Sequence, residues 1–247
     1  MTMTALRDAH DPTVPPRRPS RSAHHLRRLA LVAGAVLLLA GPLLSAVAGP
    51  AGADTKTVVV SGFADSRADG HLSLFGSCLA TTKGYLTDPA NFGPSGLANV
   101  SLDVSGTGMP TATPDALKGV NVFFTGWVDS TTYTPDEKTA LLNYVKGGGA
   151  LIGTTDALDH DMSDIFGMTL ADGPGTTTGT ITDPTSPLAD GPFGTVTTFH
   201  QFADVGHYTN IGPGQTVGTN SAGPAIVVIP PGALAAGSGP VLSLIHI

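Results

Sequence analysis

The stretch VNVFFTGWVDSTTYTPDEKTALLNYVKGGGALIGTT, residues 120–155, decides the fold that we predict for this chain. It opens with an apolar strand, residues 120–127, of the kind found where both faces of a sheet are covered. Thr134 then supplies a helix cap, with proline next and Glu137 at capping-box spacing. Three glycines at 147–149 end the helix, and ALIGT, residues 150–154, is the next buried strand. A strand, a helix and a strand in this order predict a parallel, right-handed βαβ unit.

Weaker patterns flank this unit on both sides. TKTVVVSGF, residues 55–63, is a β-branched run that predicts a buried first strand. Residues 64–98 lack periodicity and are interpreted as a long loop with one short helix near residues 72–79. NVSLDV, residues 99–104, alternates like a strand. Beyond Met168 the chain changes to short segments separated by glycine and proline, which predict β-hairpins at one edge of the sheet.

The first 53 residues are expected to be a secretory signal peptide. A basic leader precedes an apolar run at residues 29–44, and the small residues Ala51, Gly52 and Ala53 follow it, which is the order of a signal peptide. The run is shorter than the ~20 apolar residues that a membrane-spanning helix needs. We therefore expect a protein that is secreted or displayed at the surface of a bacterium and that meets the membrane only through this segment.

The charge of the remaining chain excludes some partners. After residue 53, six basic residues stand against seventeen acidic ones, a net charge of −11. Such a surface repels phosphate backbones and anionic lipid, so nucleic acid and membrane surfaces are not expected partners. Cys78 is the only cysteine, and its small, apolar neighbours predict a buried and inert thiol.

The end of the chain has an unusual sequence. GPVLSLIHI, residues 239–247, begins like a strand, and LSLIHI resembles the translated read-through of a sequencing adapter. On this interpretation residues 243–247 are a non-native tail of a truncated domain, and the alternative is a genuine short tail. The predicted organisation is a signal peptide at 1–53, an α/β domain at 54–242 and this tail.

Four stretches resemble a known family. They are NFGPSG (91–96), residues 123–156, HDMSDIFG (160–167) and ITDPTSPLADGPFGTV (181–196). They are similar to exported bacterial proteins with a class I glutamine amidotransferase-like fold, close to the ThuA-like domains named after trehalose utilisation. The resemblance implies an α/β, flavodoxin-like, mostly parallel sheet with helices on both faces and β-hairpins toward the C-terminus.

The same resemblance predicts where a catalytic nucleophile would lie, namely just after the strand at residues 150–154. Active relatives have a cysteine in a G-x-C-x-G elbow and a late His-x-Glu pair; here Thr155 takes the place of the cysteine, and Gln201 follows His200. A threonine hydroxyl is a weak nucleophile without an activating base, and a β-branched residue is strained at positive φ. Thr155 and His200 are therefore the remaining catalytic candidates, and glutaminase activity is not expected.

An acidic segment after the same strand suggests a metal site. Asp156 could reach in from the turn, and His160 and Asp164 share one face if a helix begins near residue 159. Carboxylates with one imidazole suit Ca²⁺, Mn²⁺ or Zn²⁺. The alternative is that these acids cap the helix N-terminus. The sequence assigns neither a cofactor nor an oligomeric state.

Candidate ligand-binding residues follow the two strands of the βαβ unit. In open parallel sheets ligands bind beyond the carboxyl ends of the strands, where aromatic rings could stack on a sugar and hydroxyls could bond to it. The candidates are Thr125, Trp127, Tyr133, Thr154, Thr155 and Asp156. The alternative for Trp127 is packing over the sheet edge.

These observations favour an exported, non-catalytic domain that binds a small polar ligand, for example a carbohydrate, or a partner protein. The first alternative is an extracellular metal-assisted hydrolase using Asp156, His160 and Asp164. The second is a structural domain of the cell surface.

Overall fold

The computed structural model describes residues 57–68, 71–128, 133–155, 165–172, 178–201 and 206–245. The described residues form the helices α1 (Ala80–Thr87), α2 (Pro114–Leu117) and α3 (Pro135–Lys146). Its strands are β1 (Thr57–Gly62), β2 (Ser101–Asp103), β3 (Val122–Phe124), β4 (Ala150–Thr155), β5 (Thr169–Asp172), β6 (Thr178–Ile181), β7 (Asp190–Gly191), β8 (Gly194–Thr195), β9 (Thr198–His200), β10 (Gly206–Asn210), β11 (Gln215–Thr219), β12 (Pro224–Ile229) and β13 (Val241–Ile245).

One large mixed sheet organises the described residues. Nine strands lie in the order β2-β1-β3-β4-β13-β12-β11-β6-β9. The first five are mutually parallel, whereas β12, β11, β6 and β9 each run antiparallel to the preceding neighbour. The fold is therefore α/β with a mixed sheet and few helices, and β11 and β12 form one of the C-terminal hairpins that the sequence predicts.

The predicted βαβ unit is confirmed. β3 and β4 pair in parallel with Val122 opposite Ala150, and α3 connects them. At the start of α3 both bonds of the capping box are present, since Thr134 accepts from the Glu137 N–H and the Glu137 carboxylate accepts from the Thr134 N–H. Leu141 and Val145 of α3 are buried against the sheet, so the periodic apolar face of the helix faces the core.

Alternate residues of the central strands belong to two separate cores. Phe123 and Leu151 join the α3 residues on one face. Val122 and Ile152 point to the other face, whose cover includes Leu86 of α1 and residues of the loops and hairpins. Successive residues of β3 and β4 therefore point to opposite faces of the sheet, and both faces are covered by apolar side chains. This explains why the sequences of these two strands are continuously apolar.

β13 is the strand that joins the parallel half of the sheet to the antiparallel half. It pairs with β4 on one side and β12 on the other, with Ile245 opposite Thr155. Ser243, Leu244 and Ile245 are buried within it, and the Ser243 hydroxyl lies 2.6 Å from the Tyr208 hydroxyl. The domain boundary predicted at residue 242 thus falls inside this strand.

Two local predictions are wrong. The helix expected near residues 72–79 begins at residue 80 instead, because the backbone at Gly76 is pressed against His71 and Asp65 in a series of turns. Cys78, predicted to be buried, is exposed, because the turns that replace the helix place it at the surface.

The membrane-related predictions concern residues 1–53, which lie outside the described part of the chain. In the part that is described, the structure contains no helix with the length and apolar character to span a bilayer.

Candidate functional site

The parallel strands bring the predicted ligand-binding residues to one edge of the sheet. β1, β3, β4 and β13 all end there, and this is the edge where open α/β sheets bind ligands. Thr125 and Trp127 follow the end of β3, and Thr154 lies at the end of β4, one strand away. We call this the carboxyl edge.

A loop from further up the chain, residues 71–78, is docked on the turn that follows β3. The Trp127 N–H donates to the Leu72 carbonyl at 3.2 Å. Gly126, between the strand and the indole, has φ 68°, and a Cβ there would lie 2.6 Å from the same carbonyl oxygen. Only glycine combines this backbone conformation with so close an approach. The docked loop therefore belongs to the carboxyl edge.

The docked loop contributes the imidazole of a carboxylate–imidazole pair, and the segment after β1 contributes the carboxylate. Asp65, just beyond β1, has one oxygen 2.7 Å from the Nδ1 of His71. Its other oxygen accepts from the Ser73 hydroxyl at 3.3 Å. We call Asp65 and His71 the Asp–His pair. The carboxylate holds the imidazole by one ring nitrogen, an arrangement that leaves the other nitrogen for another partner.

His71 has a strained backbone. Its φ is 60°, and it is the one non-glycine residue with positive φ among the residues that the structure describes. Such a conformation costs on the order of 1–3 kcal/mol. The Asp–His pair does not offset this, because the imidazole is 68% exposed and even a charged pair at so exposed a position contributes only about 0–1 kcal/mol. Strain that stability does not explain is a reason to consider a functional role.

Ser73 is committed to the structure of the loop. It is buried, its hydroxyl donates to Asp65, and the same oxygen accepts from the Phe75 N–H at 3.1 Å. A serine nucleophile needs a base that takes its proton, and here the hydroxyl donates to a carboxylate that also holds the imidazole. Ser73 therefore supports Asp65.

The predicted ligand-binding residues differ in how accessible they are. Thr125 is buried, and its hydroxyl donates to the Gly126 carbonyl at 2.9 Å. Trp127 and Thr154 are half-buried at the carboxyl edge. The Tyr133 ring packs edge-on against Phe63, with 5.7 Å between ring centroids. The structure thus brings Trp127 and Thr154 to the edge with accessible surface and uses Tyr133 in packing.

The two catalytic candidates lie on different strands. Thr155 is the last residue of β4 and pairs with Ile245, and its side chain is outside the described part of the structure. His200 lies on β9, which four strands separate from β4 in the sheet order. Its ring is exposed, with Nδ1 3.2 Å from the Thr178 hydroxyl.

Gln201, which the sequence presents only as the neighbour of His200, reaches the end of β13. Its side chain is buried and donates to the Ile245 carbonyl at 3.3 Å. Its own oxygen accepts from the Asn220 amide at 2.8 Å. A buried amide with these bonds holds the carboxyl end of β13 in place beside β4, and no local sequence pattern identifies it.

A buried ion pair connects two segments next to the carboxyl edge. The Arg67 guanidinium donates two hydrogen bonds of 3.0 Å to the two carboxylate oxygens of Glu137, and it lies 4.8 Å from the centre of the Phe63 ring. Burial raises the pKa of Glu137, but hydrogen bonds from Arg67, Thr134 and Ala112 outweigh it, and the pKa is lowered overall. The pair ties the segment after β1 to the start of α3. The sequence indicates the capping role of Glu137 but not its ion pair with Arg67.

The metal-site prediction is not addressed by the described residues. Asp156, His160 and Asp164 all lie outside them. Within the described ranges, no group of three or more histidine, cysteine, aspartate or glutamate side chains is arranged to hold a metal ion.

A separate groove lies at the opposite, amino edge of the strands. It has a volume of about 450 Å³ and lies between α2 and α3, with Leu117, Val120 and Tyr144 in its lining. The Tyr144 hydroxyl donates to the Ala150 carbonyl at 3.1 Å, and burial raises the pKa of this tyrosine. None of the residues predicted as functional lines this groove.

Comparison with known proteins finds structural neighbours of low similarity. No family model matches the chain, and no curated protein matches it. Among solved structures, a ThuA-like protein from Bacteroides uniformis is a structural neighbour with a TM-score of 0.44 and 14% identity, over 80% of this chain and 84% of that one.

Two glycosidases are further structural neighbours. An exo-β-1,4-mannosidase from an Opitutaceae bacterium has a TM-score of 0.45 and 16% identity, over 76% of this chain and 31% of that chain. A cold-adapted β-galactosidase from a Rahnella species has a TM-score of 0.44 and 13% identity, over 83% of this chain and 30% of that chain. The chain thus spans less than a third of either glycosidase, and this similarity assigns no activity to it.

Proposed function

We propose that this chain is an exported, non-catalytic domain that binds a small polar ligand at the carboxyl edge. One observation carries the proposal: the loop of residues 71–78 is docked on the Gly126–Trp127 turn. The docking bonds the backbone of Leu72, the residue after His71, to the backbone of the half-buried Trp127. Aromatic surface combined with a few fixed polar groups is the usual composition of a small-ligand site.

The proposal includes the family suggested by the sequence. A class I glutamine amidotransferase-like, flavodoxin-like domain of the ThuA type would have helices on both faces of its parallel strands. The positions of Leu86 from α1 in one core cluster and Leu141 from α3 in the other support this arrangement. Export is proposed from the signal-like residues 1–53.

We propose the absence of catalysis on the basis of the identity and position of the candidate nucleophiles. Thr155 occupies the position at which active relatives have a cysteine, and His200 lies on a strand remote from it in the sheet order. The Ser73 hydroxyl, the other candidate near a histidine, is committed to Asp65. A partner protein that engages the carboxyl edge is the alternative to a small ligand.

Calorimetric titration of the purified domain with neutral mono- and disaccharides tests the proposal. Binding by the wild type that Trp127→Ala weakens at least tenfold is the expected result. Tyr85→Ala, which removes a half-buried aromatic ring from α1, is the matched control and should leave binding unchanged. Ammonia release from glutamine, or a covalent acyl adduct on Thr155, would refute the non-catalytic assignment.

A further inference from the structure

We propose that the Asp–His pair contacts the ligand and selects neutral, hydroxyl-bearing molecules over anions. This inference rests on the proposed function and names the ligand class of that site. It starts from the geometry: Asp65 holds Nδ1 of His71 at 2.7 Å, and the side chain of His71 is largely exposed beside the docked turn. A neutral imidazole that donates from Nδ1 presents Nε2 as a hydrogen-bond acceptor.

The support around Asp65 makes this orientation rigid. The buried Ser73 hydroxyl donates to the same carboxylate, and Gly76 leaves no room for a side chain next to it. Asp65 is thereby hydrogen-bonded by Ser73 and closely approached by Gly76 of the docked loop while it orients His71. A recognition group that is fixed before binding loses little conformational entropy when the ligand arrives.

The charge of the region argues for a neutral ligand. The side chain of Asp65 is 33% exposed, so its carboxylate contributes negative potential at the carboxyl edge. The chain after residue 53 carries a net charge of −11, which adds repulsion of anions at longer range. A hydroxyl group can donate to Nε2 without bringing a charge. Trp127, half-buried at the same edge, offers an apolar face for the carbon atoms of a ring.

Three substitutions test the pair. His71→Asn removes the imidazole but keeps a residue that tolerates positive φ, and His71→Gly removes both the side chain and the strain. Asp65→Asn keeps the size of the side chain and removes the charge. We expect His71→Asn and His71→Gly to weaken binding of a neutral sugar at least tenfold. We expect Asp65→Asn to weaken it less and to change the tautomer of His71, which ¹⁵N NMR of the imidazole detects.

The probes are glucose, galactose and mannose, each compared with its uronic acid. Tighter binding of a neutral sugar than of its uronate, with loss of binding in His71→Asn at an unchanged melting temperature, supports the proposal. Unchanged binding in His71→Asn while Trp127→Ala abolishes it would refute the role of the pair and leave the proposed function intact. Tighter binding of the uronates would refute the charge selection. If the wild type binds none of these sugars, the proposed function fails, and this inference fails with it.

Discussion

Replacing Glu137 by glutamine should destabilise the domain more than any other conservative change of an acidic side chain described here. The carboxylate is 2% exposed and accepts five hydrogen bonds of 3.0–3.3 Å, two from Arg67, two from Thr134 and one from the Ala112 N–H. An amide of the same shape replaces one of the two acceptor oxygens with a donor, which then faces the N–H groups of Arg67 or Thr134. It also leaves the guanidinium without its counter-charge.

The structure sets the expected size of the effect. Removing one partner of a buried ion pair costs about 3–5 kcal/mol. The lower end applies here, because Arg67 is 15% exposed and keeps a 2.7 Å hydrogen bond to the Pro110 carbonyl. We therefore expect Glu137→Gln to lower the free energy of unfolding by about 3 kcal/mol and the melting temperature by roughly 6–12 °C.

The assay is urea unfolding followed by the fluorescence of Trp127, the only tryptophan in the chain. Asp136→Asn is the matched control, since Asp136 is an exposed acid in the same helical turn, and we expect a change within about 0.5 kcal/mol. The double variant Arg67→Met, Glu137→Gln leaves no charge of the pair buried. Its loss in free energy of unfolding should therefore be smaller than the sum of the losses of the two single variants.

The pH dependence gives a second test of the same pair. The pKa of Glu137 is lower in the folded protein than in the unfolded chain, so its stabilisation is present above about pH 4.3 and is lost as the pH falls through the folded pKa. The difference in stability between wild type and Glu137→Gln should therefore shrink in acid. A loss below about 1 kcal/mol at neutral pH, or equal effects of Asp136→Asn and Glu137→Gln, would refute the reasoning.

Three further outcomes are expected. Gln201→Ala should lower the free energy of unfolding by about 1–3 kcal/mol in urea, because the Ile245 carbonyl loses a buried donor; an unchanged midpoint would contradict this. Cys78 should react with a thiol reagent in the folded protein at one equivalent per chain, whereas protection until unfolding would show that the thiol is buried. Gly126→Ala should cost more than about 2 kcal/mol in thermal unfolding, because φ 68° and the Leu72 carbonyl both exclude a Cβ; a neutral effect would mean that the loop is not docked there.

The elements that sequence predicted best are those whose signals are local. The cap at Thr134, the glycines at 147–149 and the apolar strands on either side all act within a few residues, and the structure confirms the unit they define. Topology alone predicts that Thr125, Trp127 and Thr154 lie at one edge, since parallel strands end at the same edge of a sheet.

The groups that sequence analysis missed depend on contacts between distant or irregular segments. Arg67 and Glu137 are 70 residues apart in the chain, and nothing near either residue indicates the other. The Asp–His pair lies in a loop without periodicity, where the one available signal was an acid placed just beyond the end of the first strand. Cys78 has apolar neighbours, but which side of a turn faces solvent is decided by what the turn packs against.

The position of β13 has a consequence for how the domain can form. Leu151 of β4 pairs with Val241, 90 residues further along the chain, and among the strands that the structure describes the antiparallel ones join the parallel ones of the large sheet only through β13. During synthesis the two halves of the sheet are therefore left apart, each with an open edge, until residue 245 has emerged. Pairings at such long range form slowly and expose strand edges that can associate with other chains. A growing chain of this protein should need protection from self-association for most of its length.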